Sequence, residues 1–166
     1  MRAYNFQRVA VLVIDDNRNM ANVIIHMLKA FGVGETSFAR DGGEGLLMLD
    51  RKDYDLVIVD EHMSPMSGTE FARHVRRGEA GPDPMVPIIM VTAHSNVQRI
   101  LAARDAGVNE ILRKPLSTRM MFKRLTAVVD QQRAFVRTPG YVGPDRRRRQ
   151  DPAYRGPDRR TSTGGR

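Results

Sequence analysis

Four consecutive aliphatic residues, Leu56-Val57-Ile58-Val59, run straight into a lone carboxylate at Asp60, and few folds accommodate that arrangement. An apolar run without alternation reads as a strand covered on both faces, the habit of parallel sheets. Asp60 then stands at the strand's carboxyl end, the edge of an open α/β sheet where ligands collect. Three further apolar runs end in polar residues. Val9 to Ile14 leads into Asp15 and Asp16, Val86 to Val91 into Thr92, and Glu110 to Arg113 into Lys114-Pro115. Three acids, a hydroxyl and an ammonium would meet at one edge.

The segments between these runs read as helices. After Asp15-Asp16, apolar residues at Met20, Val23, Ile24, Met27, Leu28 and Phe31 follow helical spacing, and Gly32 and Gly34 end it. Glu35 to Ala39 reads as a short second strand, and Asp41 can cap a helix carrying Leu46, Leu47 and Leu49. The turn-rich Met63 to Gly68 leads into a helix from about Thr69 to Arg77, and Gly78 to Pro84 must be a loop. A fourth helix is expected from Asn96 to Ala106, and a fifth, capped by Ser117 or Thr118, reaching about Phe135. Alternating strands and helices predict an α/β fold, a doubly wound five-stranded parallel sheet with right-handed crossovers. The order 2-1-3-4-5, the flavodoxin-like arrangement, suits a chain of this length.

Composition excludes several alternatives. There is no Cys, so neither disulfides nor thiolate chemistry are available. No segment approaches the ~20 apolar residues that span a bilayer, and the amino terminus lacks a signal-type apolar stretch. A cytoplasmic protein without membrane insertion is the expectation. The formal charge of +8 is concentrated at one end. From Thr138 to Arg166 there are eight Arg, three Asp and no Lys, a net of +5. A merely solvated charge run has no reason to prefer Arg, whereas bidentate and stacking contacts do.

Three carboxylates at one edge repel unless a cation sits among them, and an all-oxygen set suits Mg²⁺. Asp60 can then act as an oxygen nucleophile toward a phosphoryl group, with Lys114 as a fixed charge for phosphate and Thr92 following the new oxygens by hydrogen bonding. An Asp-nucleophile phosphatase of the haloacid dehalogenase type would want its two acids two residues apart, and Asp15 and Asp16 are adjacent.

This constellation resembles the receiver domain of two-component response regulators, the CheY-like family, over residues 6–136. The resemblance rests on Asp15-Asp16, on Asp60 with Met63 and Gly68 downstream, on Thr92-Ala93, and on Lys114-Pro115. It implies that Asp60 is the phospho-acceptor, that Asp16 and Asp60 bind the metal directly with the His62 carbonyl, and that Asp15 is an outer ligand. A histidine kinase is the implied phosphodonor. Ile111 stands where the family usually has an aromatic, and Pro65 is displaced by Ser64 from its usual place after Met63. His62 and His94 occupy positions that influence dephosphorylation in this family, or are simply solvated loop residues.

The tail, residues 137–166, contains a duplication. Tyr141-Val142-Gly143-Pro144-Asp145-Arg146-Arg147 recurs as Tyr154-Arg155-Gly156-Pro157-Asp158-Arg159-Arg160, with Arg148 and Arg149 between the copies. Few apolar residues and many breakers predict disorder without a ligand. Arg can pair with guanine O6 and N7 or lie flat on a base, Tyr offers a stacking face, and Asp can accept from guanine's Watson-Crick edge. Gly-Pro-Asp reads as a turn that would place Tyr and Arg-Arg on one compact loop. Each copy is thus a plausible guanine clamp.

The tail resembles the arginine-rich segment of the CheY-like cyclic di-GMP effectors, the Cle family, and most of all its CleD type. That implies cyclic di-GMP binding by Tyr141, Gly143, Pro144, Asp145, Arg146, Arg147, Arg148, Arg149, Tyr154, Arg155, Gly156, Pro157, Asp158, Arg159 and Arg160. It further implies binding to the flagellar motor switch protein through helix four, strand five and the last helix, with recruitment to the flagellated pole and control of motility and surface attachment. The chain is expected to be a signalling switch and not an enzyme. The alternative is a phosphorylation-driven regulator whose basic tail binds nucleic acid, the less favoured partner, or another anionic surface.

Overall fold

A computed structural model describes residues 3–81, 83–130 and 135–145. The elements alternate as expected: β1 (Ala10–Ile14), α1 (Arg18–Ala30), β2 (Glu35–Ala39), α2 (Gly42–Arg51), β3 (Leu56–Asp60), α3 (Gly68–Arg76), β4 (Ile88–Thr92), α4 (Val97–Asp105), β5 (Glu110–Arg113) and α5 (Thr118–Asp130). The five strands pair in parallel in the order β2-β1-β3-β4-β5. Helix starts obey local chemistry. Asn17, Asp41 and Asn96 each accept a backbone N–H of the following turn, and Ser67 with Glu70 forms a reciprocal capping box. Ser117, rather than Thr118, caps α5 by accepting from the Met120 amide.

Alternation along the strands divides the core in two. Leu12, Ile14, Val57, Val59, Ile88 and Met90 pack with Leu49, Phe71, Val75 and Ala103 of α2, α3 and α4. Val11, Val13, Ile58, Ile89, Val91 and Leu112 point the other way, toward Ile24 and Leu28 of α1 and Met121 and Leu125 of α5. Every residue of β3 and β4 is buried. This is why their sequences are apolar throughout, and why a polar residue ending them is conspicuous.

The carboxyl-terminal part of the fold departs from expectation. The last helix is described as far as Asp130, and Phe135 opens a strand instead of closing that helix. β6 (Phe135–Thr138) and β7 (Tyr141–Pro144) form an antiparallel hairpin, pairing Phe135 with Pro144 and Thr138 with Tyr141. Phe135, Val136, Thr138, Tyr141 and Val142 are aromatic or β-branched and carry strand propensity, which competes with a helical continuation of α5. The start of the arginine-rich segment, residues 137–144, thus lies in a β hairpin turning at Pro139-Gly140, and Gly143-Pro144 lies in a strand rather than the turn read from its composition. The remaining tail positions, Arg146 to Arg149 and Tyr154 to Arg160, lie outside the described residues.

A buried arginine holds this end together. Arg76, at the end of α3, is only 3% exposed. Its guanidinium donates to Gly107 O twice, Pro84 O, Val86 O and Asn109 Oδ1 at 2.7–3.0 Å. All five N–H groups are satisfied, and the Phe135 ring covers the guanidinium at 5.0 Å. Burial lowers its pKa to about 10, still protonated at neutral pH. The Arg76 contacts tie α3 to the loops preceding β4 and β5. Gly107, with φ +92°, leaves no room there for a side chain: a Cβ would meet Val142 O at 2.6 Å and Arg76 Cγ at 2.8 Å.

Replacing Arg76 with Ala should strip its donors from three backbone carbonyls, Pro84 O, Val86 O and Gly107 O, and destabilise the chain by about 3–5 kcal/mol, with Arg76→Lys intermediate because an ammonium cannot reproduce the fork. Urea unfolding of the three proteins checks both values.

Candidate functional site

Strand register sets the site. Ile14 pairs with Val59, Asp60 with Val91, and Thr92 with Arg113. Asp15, Asp60, Thr92 and Lys114 therefore leave the sheet at one edge, each strand exiting within a residue of its neighbour. Backbone hydrogen bonds continue past the strand ends, from Asp15 N to Ala39 O at 3.2 Å and from Lys114 N to Thr92 O at 2.8 Å. The functional side chains thus emerge from rigid backbone.

Asp15, Asp16 and Asp60 each place a carboxylate oxygen within 4.8 Å of the others. Asp15 is 1% and Asp60 4% exposed, whereas Asp16 faces solvent. Asp15 Oδ1 accepts from the Asn17 amide at 2.8 Å, and Asp60 Oδ2 from the His62 amide at 3.0 Å. Asp15 Oδ2 is buried with no hydrogen-bond partner; Asp60 Oδ1, equally buried, lacks one too but forms an ion pair with Lys114 Nζ at 2.8 Å. Burial, with the charge of Asp60 as a lesser contributor, pushes the Asp15 pKa from 3.8 up to about 6. An orphaned carboxylate oxygen beside two further carboxylates fits a hard divalent cation such as Mg²⁺, and Asp15, Asp16 and Asp60 would hold it. When bound, that ion neutralises oxygen charge during phosphoryl transfer.

The rim supplies further groups. Thr92 is buried, and its Oγ1 accepts from the His94 amide at 3.1 Å. The His62 and His94 rings lie 6.0 Å apart, so both flank the mouth of the site. Ile111 pairs with Met90 and packs partly against the core. Gly68 explains why the loop after Asp60 must end in glycine: a Cβ there would meet Asp60 O at 2.6 Å.

Two interactions escaped the sequence reading. Glu61, next to Asp60, accepts from Thr69 N at 2.8 Å and from Thr69 Oγ1 at 2.9 Å, closing the loop between β3 and α3. Arg76 is the other. Its signal was present but ambiguous, since it lies four residues after Ala72 on the apolar stripe of α3, yet a basic residue in a last helical turn is ordinarily explained by the helix dipole. Of the tail residues assigned to nucleotide, the structure describes Tyr141, Gly143, Pro144 and Asp145. They lie near the start of β5, at the sheet edge opposite Asp60, and the structure does not bring them to the acid cluster.

The model of the response regulator receiver domain family matches residues 11–126. The chain is 28% identical over 131 residues to chemotaxis protein CheY-3 of Vibrio cholerae serotype O1, covering 79% of this chain and 99% of that protein. It is 30% identical over 121 residues to chemotaxis protein CheY of Pseudomonas aeruginosa, covering 73% and 96%. The crystal structure of Vibrio cholerae CheY4 obtained at low pH is similar with a TM-score of 0.67 and 28% identity, over 72% of this chain and 98% of that one.

The raised pKa of Asp15 has a consequence for the metal-free chain. Between pH 3.8 and about 6 the folded state keeps a proton that the unfolded state has lost. The stabilisation from this proton is complete below that window and is lost as pH rises through about 6. Urea unfolding in chelator should show Asp15→Asn gaining on the wild type by about 2–3 kcal/mol between pH 4 and 7. Added Mg²⁺ should narrow the gap.

Proposed function

Because the chain belongs to the response regulator receiver domain family, we propose that it is a CheY-like signalling switch phosphorylated at Asp60 and governed by cyclic di-GMP through its arginine-rich tail. The observation that carries the first half is the Asp60–Lys114 ion pair beside the unpartnered oxygen of Asp15. With a histidine kinase as donor, an Asp60 oxygen attacks phosphorus while the bond to the donor's imidazole nitrogen breaks, leaving an acyl phosphate. Asp15, Asp16, Asp60 and the His62 carbonyl are the assigned metal ligands. Lys114 then shifts its charge onto the phosphoryl oxygens, and the Thr92 hydroxyl turns from the His94 amide to donate to one of them.

The nucleotide half rests on the duplicated Tyr-x-Gly-Pro-Asp-Arg-Arg in a lysine-free segment. In each copy Tyr stacks, Asp reads the guanine edge, and the arginines share base and phosphate. Output is by binding, to the flagellar motor switch protein. Val97 and Leu101 of α4 and Met120 of α5 are large apolar side chains left 68%, 38% and 42% exposed, which supports a protein-docking face there. The rival reading, a basic tail for nucleic acid or another anionic partner, differs in chemistry: phosphate-driven binding tolerates Arg→Lys and weakens steeply with salt.

Incubation with radiolabelled acetyl phosphate and Mg²⁺ should label the wild type but not Asp60→Asn, and Lys114→Ala should be labelled far more weakly.

Isothermal titration of cyclic di-GMP should give micromolar or tighter binding to the full chain and none to a chain ending at Pro144, which keeps the hairpin. Arg146→Lys and Asp158→Ala should each weaken binding, and cyclic di-AMP should not compete. Equal binding of cyclic di-AMP would remove the guanine reading and return nucleic acid as the ligand to test.

A further inference from the structure

Two adjoining hollows, of about 250 and about 480 Å³, border the turn of the β6–β7 hairpin. Arg76, Arg77, Thr138, Pro139 and Val142 belong to both, so the end of α3 forms one wall and the hairpin the other. Arg73 lines only the first hollow and Arg137 only the second. Gly140, at the turn, leaves the entrance open: a Cβ there would meet nothing within 4 Å. Four guanidiniums, three from the end of α3 and one from β6, thus border one recess. Among the described residues its only acid is Asp105, which has Arg104 3.6 Å away.

Helix electrostatics account for part of this gathering. Basic side chains in a last helical turn answer the carbonyl end of the helix dipole. Arg73 and Arg77, however, stand four residues apart on one helical face, where like charges repel, and Arg137 comes from a strand with no such terminus. Arg73 and Arg137 are exposed and have no ion pair or side-chain hydrogen bond among the described residues. Arg77 has only an exposed contact with Glu79 at 3.9 Å. Behind them Arg76 is a charge held in place, because its five hydrogen bonds run to carbonyl and amide oxygens that fix the guanidinium without cancelling it. A concave surface of one sign, backed by low-dielectric protein, concentrates counter-ions.

The shape narrows the class of anion. Guanidinium forks bind carboxylates and phosphates alike, but a carboxylate is planar and carries one charge, enough for one fork. A phosphoryl group carries close to two charges and presents three oxygens in different directions. Two phosphoryl groups sharing a bridging oxygen would set one toward Arg73 and the other toward Arg137, with Arg77, which borders both hollows, shared between them. The geometry points to a diphosphate-binding cleft at the hairpin turn, with Arg73, Arg77 and Arg137 as its contacts and Arg76 as the charge behind them. Free pyrophosphate and the diphosphate of a nucleotide offer the same chemistry. The cleft is independent of the ligand assigned to the tail.

Pyrophosphate titrated into the full chain at constant ionic strength should give saturable amide shifts at Arg77, Thr138 and Gly140, with a submillimolar Kd. Arg73→Gln and Arg137→Gln change exposed positions and should leave the urea midpoint in place. Each should raise that Kd about tenfold, the loss of one charge-assisted contact. Reading these three amides separates the cleft from binding by arginines of the tail. ADP distinguishes the sources: binding as tight as that of pyrophosphate assigns the cleft to a nucleotide diphosphate, and binding weaker by about tenfold assigns it to the free ion. Shifts that grow without saturating, or that neither substitution weakens, overturn the cleft and leave a solvated basic face.

Discussion

Ionised carboxylates are costly to bury, and the acid edge of this protein buries two of them almost completely. Asp60 tolerates it because Lys114 stands 2.8 Å away and the His62 amide donates to its other oxygen. Asp15 is less well compensated, with one amide for one oxygen and nothing for the other. The arrangement survives because the groups sit at the ends of buried parallel strands whose registers cannot slip without turning core residues to the wrong face. Site and core are therefore one construction. The two-sided apolar packing pays for a cluster of charge that is unstable by itself, and the cation and phosphate chemistry assigned to such a cluster draws on that imbalance.

A second buried charge organises the opposite edge by different means. Arg76 has no carboxylate partner among the described residues; backbone carbonyls and Asn109 satisfy it instead. Carbonyl dipoles hold a guanidinium without cancelling its charge, so the cation remains available to an aromatic face, and Phe135 supplies one. The domain thus has an anionic edge and, opposite it, a buried guanidinium covered by the Phe135 ring.

Much of this was legible from residue order. The run from Leu56 into Asp60, and the polar residues ending the other apolar runs, located β1, β3, β4, β5 and the acid edge because burial on both faces leaves no other reason for such sequences. The cap at Asp41 was equally local. The end of α5 was misread because Phe135 and Val136 fit a helical stripe as well as a strand, and only the pairing across Pro139-Gly140 decides between them. Gly143-Pro144 was misread for the same reason: a Gly-Pro pair permits a turn, but partner strand β6 selected extension. Arg76 went unnoticed because its sequence position admits a simple surface role.

The sequence by itself determined the α/β alternation, the strand order's plausibility and the identity of the acid cluster, since these follow from periodicity and from which residue ends each buried strand. Tertiary structure alone decided how far each carboxylate is withdrawn from water, that Asp15 keeps an unpartnered oxygen, that Glu61 clamps Thr69, and that Arg76 is roofed by Phe135. These depend on groups distant in sequence, such as Asp60 with Lys114 or Arg76 with Gly107. No local pattern encodes the desolvation and geometry that two distant segments impose on each other when they meet.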